Sequence, residues 1–497
     1  MKPTDFAYLL PELILLLAAV LVFLLDLVGP KDKPKEWLPY VALAGLGAAA
    51  LGMIPGLRSS TPHMVATMLV SDPFALFFML LAIIGVAIVI LTAIPFMRSR
   101  TPFRGEFYAL LLIVGLAITL AVSAANLIMI YLSMEFLSIT SYILAGFLRQ
   151  DRKSGEAAMK YFLYGATASA AMLYGMSLLY GATGTTDLAG IAAAFETKAQ
   201  GELIWLGVPA VILLMVGFGF KASLVPFHQW APDTYEGAPT PVTAFLSTAS
   251  KAAGFAILMR VFLVAMGSMA AQWSALLIAI SLVTMTIGNL TALRQTNIKR
   301  MLAYSSIAQA GYILIGAALA EGGNGASGSS ATTVFTGMNG VMIYLFAYVF
   351  TNIGAFAVVT AFEQATGRTE IRDYAGLIRR SPWLAGLLFV FLISLAGIPP
   401  TGGFLGKFFI FGTAVQSQLW VVLAIAAVNS VIAAAYYLNV VRYMFFFPAE
   451  EGAGPIAVAW PLRTALLVTG TLTLLLGLDP TPLIAWATRS AQLLAWK

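Results

Sequence analysis

Residues 217–260 read GFGFKASLVPFHQWAPDTYEGAPTPVTAFLSTASKAAGFAILMR. Lys221 and Lys251 stand inside two apolar runs, and a proline- and aromatic-rich hairpin joins the runs. A lysine at the centre of a bilayer costs about 2.5–3.5 kcal/mol. Two of them in adjacent runs therefore need partners and a purpose.

That these runs cross a membrane follows from the rest of the chain. Its 497 residues are 60% hydrophobic and 10% charged, with mean hydropathy +0.89, far below the roughly 25% charge of soluble domains. Apolar runs of about 20 residues recur from Tyr8 to Leu476, the length a helix needs to cross a ~30 Å hydrocarbon core. A β-barrel would show ~10-residue alternating segments, and the sequence has none. The expected fold is an all-α polytopic membrane protein with about 14 transmembrane helices. Their ranges are 6–28, 37–57, 73–95, 106–124, 126–148, 158–181, 203–224, 239–264, 273–293, 300–320, 335–362, 383–414, 418–447 and 462–479. The first run holds Glu12 and lacks a basic start and a cleavage site, so it reads as a retained helix rather than a signal peptide.

The chain has no cysteine, which excludes disulfides, thiolate metal sites and cysteine-ligated iron–sulfur clusters. Two histidines, His63 and His228, give little support for haem. No cofactor and no metal are expected in this chain. Nor is there a nucleophile elbow, an HExxH helix or a pair of carboxylates on one helix face.

The pI of 9.3 raises the question of a nucleic-acid partner, and the placement of the charges answers it. Most lysines and arginines fall in the odd-numbered connections, from Lys31, Lys33 and Lys35 to Arg442 and Arg463. The other side holds only Lys2, Arg58, Lys198, Arg489 and Lys497. By the positive-inside rule the odd connections are cytoplasmic, both termini lie outside, and the partner is the lipid bilayer. Lys221, Lys251, Arg260 and Lys407 remain within spans. The longer even connections, Thr183 to Glu202 and Glu321 to Thr333, are read as loops without chemistry, and EGGNGASGSS (321–330) as a linker.

Spans four to eight and nine to thirteen each number five, and an odd number reverses orientation, so two inverted five-helix repeats with broken helices are expected. The fourth member of each carries a lysine and a proline: Lys221 with Pro226, and Lys407 with Pro399 and Pro400. Proline breaks the helical ladder, and open backbone at membrane depth needs a protein- or water-lined cavity. The chain divides into residues 1–105 with three spans, 106–264 and 273–447 as the repeats, and 448–497 with the last span.

Glu135 is about the tenth residue of span five, ~15 Å in at 1.5 Å per residue. An acid and a base at similar depth offset each other's desolvation, which makes it the expected partner of Lys221. A buried acid satisfied by Ser133, Ser138 and Thr140 is the plainer alternative. Lys251, among small residues, reads as a relay, Lys407 as an exit-side proton site or an interfacial anchor, and His228, near the break of span seven, as a proton entrance or a structural hydrogen bond. Arg260 reads as a snorkelling or inter-subunit charge; Glu12, Asp26, Asp72, Glu106 and Asp479 as helix caps or contacts to neighbours.

KASLVPFHQWAPDTYEGAPTPVTAFLSTASK (221–251), NIKRMLAYSSIAQAGY (297–312) and SLAGIPPTGGFLGKFFIF (394–411) resemble the core of the antiporter-like subunits of respiratory complex I, a family shared with multisubunit Na⁺/H⁺ antiporters. LLPELILLL, SDPFALFF, GEFYALLL, KYFLYGATASA and LIRRSPWLAG resemble the subunit N branch of the bacterial NADH-quinone oxidoreductase. Subunit M has a glutamate where Lys407 stands, and subunit L extends into a long lateral helix, whereas this chain stops at Lys497. The resemblance implies proton translocation in a bacterial inner membrane, driven by NADH oxidation and quinone reduction in other subunits. It implies Glu135, Lys221, Lys251 and Lys407 as the relay, and a neighbouring antiporter-like subunit and small membrane subunits as partners. A secondary Na⁺/H⁺ antiporter subunit and a structural spacer are the competing readings.

Overall fold

The computed structural model describes residues 5–29, 35–59, 61–197, 200–320 and 335–492. The linker expected at 321–330 lies outside the described residues. Among those residues, thirteen helices are long and apolar enough to cross a bilayer. A fourteenth crossing is made by two shorter helices in line in the sequence, Pro382–Ala396 and Gly402–Gln416.

In chain order the helices are α1 Leu10–Val28, α2 Leu38–Gly52, α3 Pro73–Arg98, α4 Arg104–Ser123, α5 Leu127–Ala145, α6 Arg152–Thr183 and α7 Gln200–Ala222. A short linking helix, Trp230–Gly237, follows, and then a divided α8, with α8a Thr240–Ser247 and α8b Ala249–Arg260. The second half holds α9 Ala270–Ala292, α10 Ile298–Ala318, α11 Gly337–Thr366, α12a and α12b (the two short helices just given), α13 Trp420–Phe446 and α14 Trp460–Leu478. Two further helices were not expected from the sequence: Leu188–Thr197, inside a stretch read as loop, and α15, Thr481–Gln492.

Polar side chains start these helices. Asp72 accepts from the Ala75 amide at 2.7 Å, Asp151 from Lys153 at 2.9 Å, and Thr336 from Asn339 at 3.1 Å, each satisfying an amide that the first helical turn leaves free. The spans differ widely in how far they are buried in the bundle. In α10 and α11, 94% of the apolar window is buried, against 33% in α1 and α13. Lys221, Lys251 and Lys407 are themselves buried.

Two caps reveal the internal symmetry. Asn126 caps α5 and donates from Nδ2 to Thr186 Oγ1 at 3.0 Å, while the Leu127 amide donates to the Thr186 carbonyl at 2.8 Å. Asn297 caps α10 and donates to Thr369 Oγ1 at 2.8 Å, while the Ile298 amide donates to the Thr369 carbonyl at 2.9 Å. The same lock opens the second helix of each five-helix group, once in an even connection and once in an odd one. An odd number of crossings between equivalent points places them on opposite ends, as inverted repeats require.

The odd connections meet at one end through ion pairs: Arg98–Glu36 at 2.6 Å, Arg100–Glu363 at 3.0 Å, Lys160–Asp233 at 2.7 Å and Arg368–Glu450 at 2.5 Å. At the other end the even connections pair by backbone, with the hairpin His63–Val65 and Leu69–Ser71 donated to by Ala125 through the Met68 carbonyl at 2.9 Å. Asp26 pairs with Lys35 at 3.0 Å, and Asp479 accepts from the Thr481 amide at 3.2 Å.

Arg260 corrects the sequence expectation. It neither snorkels nor faces a neighbour: the residue is 1% exposed, and its guanidinium clasps Asp72 at 2.9 and 3.0 Å. An apolar packing shell leaves no route to the interface, so the charge is met inside the bundle.

Candidate functional site

The site is a set of three buried amines. Lys221, Lys251 and Lys407 are 2%, 2% and 4% exposed. Each ammonium rests on hydroxyls or carbonyls, and among the described residues none of the three makes an ion pair. Such a group binds a proton without being locked to a carboxylate, which suits transfer better than storage.

Lys221 closes α7. Its Nζ donates to Ser138 Oγ on α5 at 3.1 Å. Glu135, one turn earlier on α5, accepts a short hydrogen bond from Ser169 on α6. The acid expected to partner Lys221 is therefore near it but not in contact; Ser138 stands between. The helix ends there because Ser223 takes a left-handed φ of +57°. Backbone groups released by the break are met by other elements: the Val225 amide donates to Thr284 Oγ1 on α9 at 3.1 Å, and Trp230 Nε1 donates to the Phe220 carbonyl at 3.0 Å.

Lys251 sits in α8b, just past a break in span eight that the sequence did not reveal. At the break, the Thr248 and Ser247 hydroxyls donate back to the Ala244 carbonyl at 2.6 and 3.0 Å. A run of Ser and Thr before a mid-span lysine was the available signal. Lys251 Nζ donates to Ser306 Oγ at 2.6 Å and to the Ser306 carbonyl at 2.9 Å. One turn on, Gly254 lets α8b close on α7: a Cβ there would come within 3.1 Å of Lys221 Cγ. The two lysine-bearing helices thus approach closely beside the Lys221 stem, while the amines reach out to α5 and α10.

Lys407 lies in α12b, beyond the break expected from Pro399 and Pro400. Its Nζ donates to the Ala396 carbonyl, at the open end of α12a, at 2.9 Å, and stands 4.7 Å from the centre of the Tyr312 ring. The chain turns at Gly397 with φ +87°. The adjacent Leu395 carbonyl is taken by Gln309 Nε2 at 2.8 Å. Gln309, Tyr344, Tyr437 and Ser305 form a buried cluster here that the sequence reading did not single out.

His228 lies on the turn after α7, half-buried, within electrostatic reach of Lys251 and with no hydrogen-bond partner on Nδ1 among the described residues. Its hairpin is the odd connection without a lysine or arginine, and the structure gives a reason. It supplies the counter-charges instead: Asp233 pairs with Lys160 at 2.7 Å and with Arg300 at 2.6 Å, and Glu236 with Lys153 and Arg300 at 3.3 Å each. Burial pushes the Asp233 carboxyl up, but hydrogen bonds from Lys160 and Arg300 outweigh it and hold the group below the usual carboxylate range.

Residues 124–433 match the family model described as NADH:quinone oxidoreductase/Mrp antiporter, TM. The chain is 41% identical over 488 residues to a protein of Trichlorobacter lovleyi named NADH-quinone oxidoreductase subunit N, covering 98% of this chain and 97% of that one. A Desulfitobacterium hafniense protein of the same name is 40% identical over 498 residues, 99% of each. Among solved structures, a chain of respiratory complex I from Thermus thermophilus with bound aureothin is 34% identical with TM-score 0.78, over 96% of this chain and 98% of that one. A chain of the Mrp complex from Dietzia shares the fold at TM-score 0.83 and 22% identity, over 99% of this chain and 97% of that one.

Proposed function

The chain belongs to the NADH:quinone oxidoreductase/Mrp antiporter family, in the branch of its subunit N relatives, and from that premise we propose that it moves protons across the membrane along Lys221, Lys251 and Lys407. It works as a proton-translocating membrane subunit of NADH-quinone oxidoreductase, among other membrane subunits that carry a neighbouring antiporter-like chain. NADH oxidation and quinone reduction take place elsewhere in the complex. The sequence, without cysteine or a dinucleotide fingerprint, supplies no ligand set for a redox group.

The observation that carries the reading is the set of three amines, each at most 4% exposed and each held, among the described residues, by neutral oxygens. A neutral amine accepts a proton and an ammonium donates one. With hydroxyls and carbonyls as the hydrogen-bond partners, the two states differ little enough in cost to exchange. Glu135 acts on Lys221 at one remove: drawing the carboxylate closer favours the ammonium, and drawing it away releases the proton. Lys221 passes it to Lys251 where Gly254 brings α7 and α8b together, and Lys407 loads or releases it at the second break. His228 is the entrance, on the basic end, which faces the cytoplasm, with both termini on the outer side of the bacterial inner membrane. The repeats 106–264 and 273–447 are the two half-channels, flanked by 1–105 and 448–497.

Lys221→Met in the assembled complex, reconstituted in vesicles, tests the reading. Protons pumped per NADH oxidised fall; an unchanged ratio overturns it. Sodium counter-transport without NADH oxidation would instead assign the chain to a secondary antiporter.

A further inference from the structure

The buried hydrogen-bonding groups of α10, α11 and α13 near Lys251 include several hydroxyls and the amide of Gln309. Ser305 and Ser306 are consecutive on α10, and Ser306 holds Lys251 while Ser305 pairs closely with the Tyr437 hydroxyl of α13. One turn along α10, Gln309 inserts an amide. Its Nε2 donates to the Leu395 carbonyl at 2.8 Å and to Tyr437 OH at 3.3 Å, and its Oε1 accepts a short hydrogen bond from Tyr344 of α11. Gln309, Tyr344 and Tyr437 are 1%, 2% and 1% exposed. The Tyr344 ring also lies against the backbone at Gly406, the neighbour of Lys407, where there is no room for a Cβ.

The position is marked by the repeat itself. Counted from the capping asparagines, Gln309 is twelve residues after Asn297, as Ser138 is twelve after Asn126. Ser138 is the group that holds Lys221. On the same count Ser306 takes the place of Glu135, nine residues after the cap. In each repeat, then, the twelfth residue stands beside the broken span that carries the lysine, but only the second repeat puts an amide there.

We propose that Gln309 is a positioning residue of the proton path, whose amide sets the direction of the Tyr437 and Tyr344 hydroxyls in the region between Lys251 and Lys407. This rests on the role given to those lysines above. An amide nitrogen only donates, its oxygen only accepts, and neither end passes a proton on as a hydroxyl does. With Nε2 donating to Tyr437, that phenol accepts there and keeps its own hydrogen for another partner such as Ser305; with Oε1 accepting, the hydrogen of Tyr344 is turned toward Gln309. A proton that moves along a chain of hydroxyls leaves every member reversed. The chain then carries no second proton until its members turn back, and the amide, tied to Leu395, fixes the arrangement to which they return. Gln309 thereby meters transfer at the junction next to the carbonyl that holds Lys407.

The test uses the assembled complex in vesicles, with pumped protons per NADH and the pH profile of pumping as readouts. The titratable groups around Gln309, among the described residues, are Tyr344 and Tyr348 from α11, Tyr436 and Tyr437 from α13, Tyr312 from α10 and Lys407 from α12b. Gln309→Leu slows pumping roughly tenfold, the rate equivalent of one buried hydrogen bond left unmade. Gln309→Glu keeps the shape but adds a group that titrates; it retains pumping and shifts the pH profile. An unshifted profile in Gln309→Glu overturns the proposal, and decides alone should Gln309→Leu fail to assemble. Lys407→Met is run beside them: if it is without effect, the relay itself is wrong, whereas an impaired Lys407→Met with an unshifted Gln309→Glu removes only the role of the amide.

Discussion

Arg260, at the end of α8b, reaches Asp72, the cap of α3, with two guanidinium nitrogens at 2.9 and 3.0 Å, while its Nε donates to the Val122 carbonyl of α4 at 3.1 Å. One side chain thus ties the lysine-bearing α8b to α3, which precedes both repeats, and to α4, which opens the first. The pair is fully buried, with side-chain exposures of 1% and 0%. Removing one partner strands the other charge, at a cost of about 3–5 kcal/mol. Arg260→Leu or Asp72→Asn lowers the unfolding temperature and the amount of assembled subunit. The double variant Arg260→Met/Asp72→Leu recovers much of the loss, because no lone charge remains. Thermal unfolding of the purified complex reads the difference, and additive losses in the double variant would refute the account.

Ser306 supplies both acceptors of Lys251, a hydroxyl at 2.6 Å and a carbonyl at 2.9 Å. Ser306→Ala removes only the hydroxyl, so the ammonium loses one charge-assisted hydrogen bond, worth about 1.5–3 kcal/mol. Proton pumping slows roughly tenfold or more, and Ser306→Thr restores it. Fluorescence-dye quenching in vesicles driven by NADH measures both; equal rates in all three proteins would show that Lys251 does not depend on this contact.

The spans, the two broken helices and the three amines were legible in the sequence because each rests on a local signal: a run of apolar residues, a proline, or a charge where charge is costly. What sequence did not reveal is long-range. Nothing near Arg260 announces that Asp72, 188 residues away, will meet it. Ser138 reads as a neighbour of Glu135, yet folding makes it the contact of Lys221. The acidic hairpin looked like an exception to the positive-inside pattern; packing shows Asp233 and Glu236 neutralising Lys160, Lys153 and Arg300 from adjoining connections. The Gln309 cluster gathers side chains from three spans, and no spacing in one span predicts it.

Arg368 and Glu450 join two odd connections, with side chains 52% and 66% exposed. Water screens such a pair, and holding two long side chains together costs entropy. Arg368→Ala leaves the unfolding temperature and pumping unchanged, in contrast to Arg260→Leu. A clear loss of stability in Arg368→Ala would mean that this end of the protein is far less hydrated than its exposure implies.

Gly397 separates two effects at the second break. Its φ of +87° is a left-handed conformation, which costs an L residue with a Cβ about 1–2 kcal/mol. A Cβ there would also stand 2.7 Å from Lys407 Cδ and displace the side chain from the Ala396 carbonyl. Gly397→Ala therefore lowers both stability and pumping. Asparagine tolerates the left-handed region better yet keeps the Cβ, so Gly397→Asn recovers stability while pumping stays impaired. Unfolding temperature and protons per NADH, measured on both variants, separate strain from displacement. If Gly397→Asn recovers pumping together with stability, the position of Lys407 against Ala396 is not what the break is built to secure.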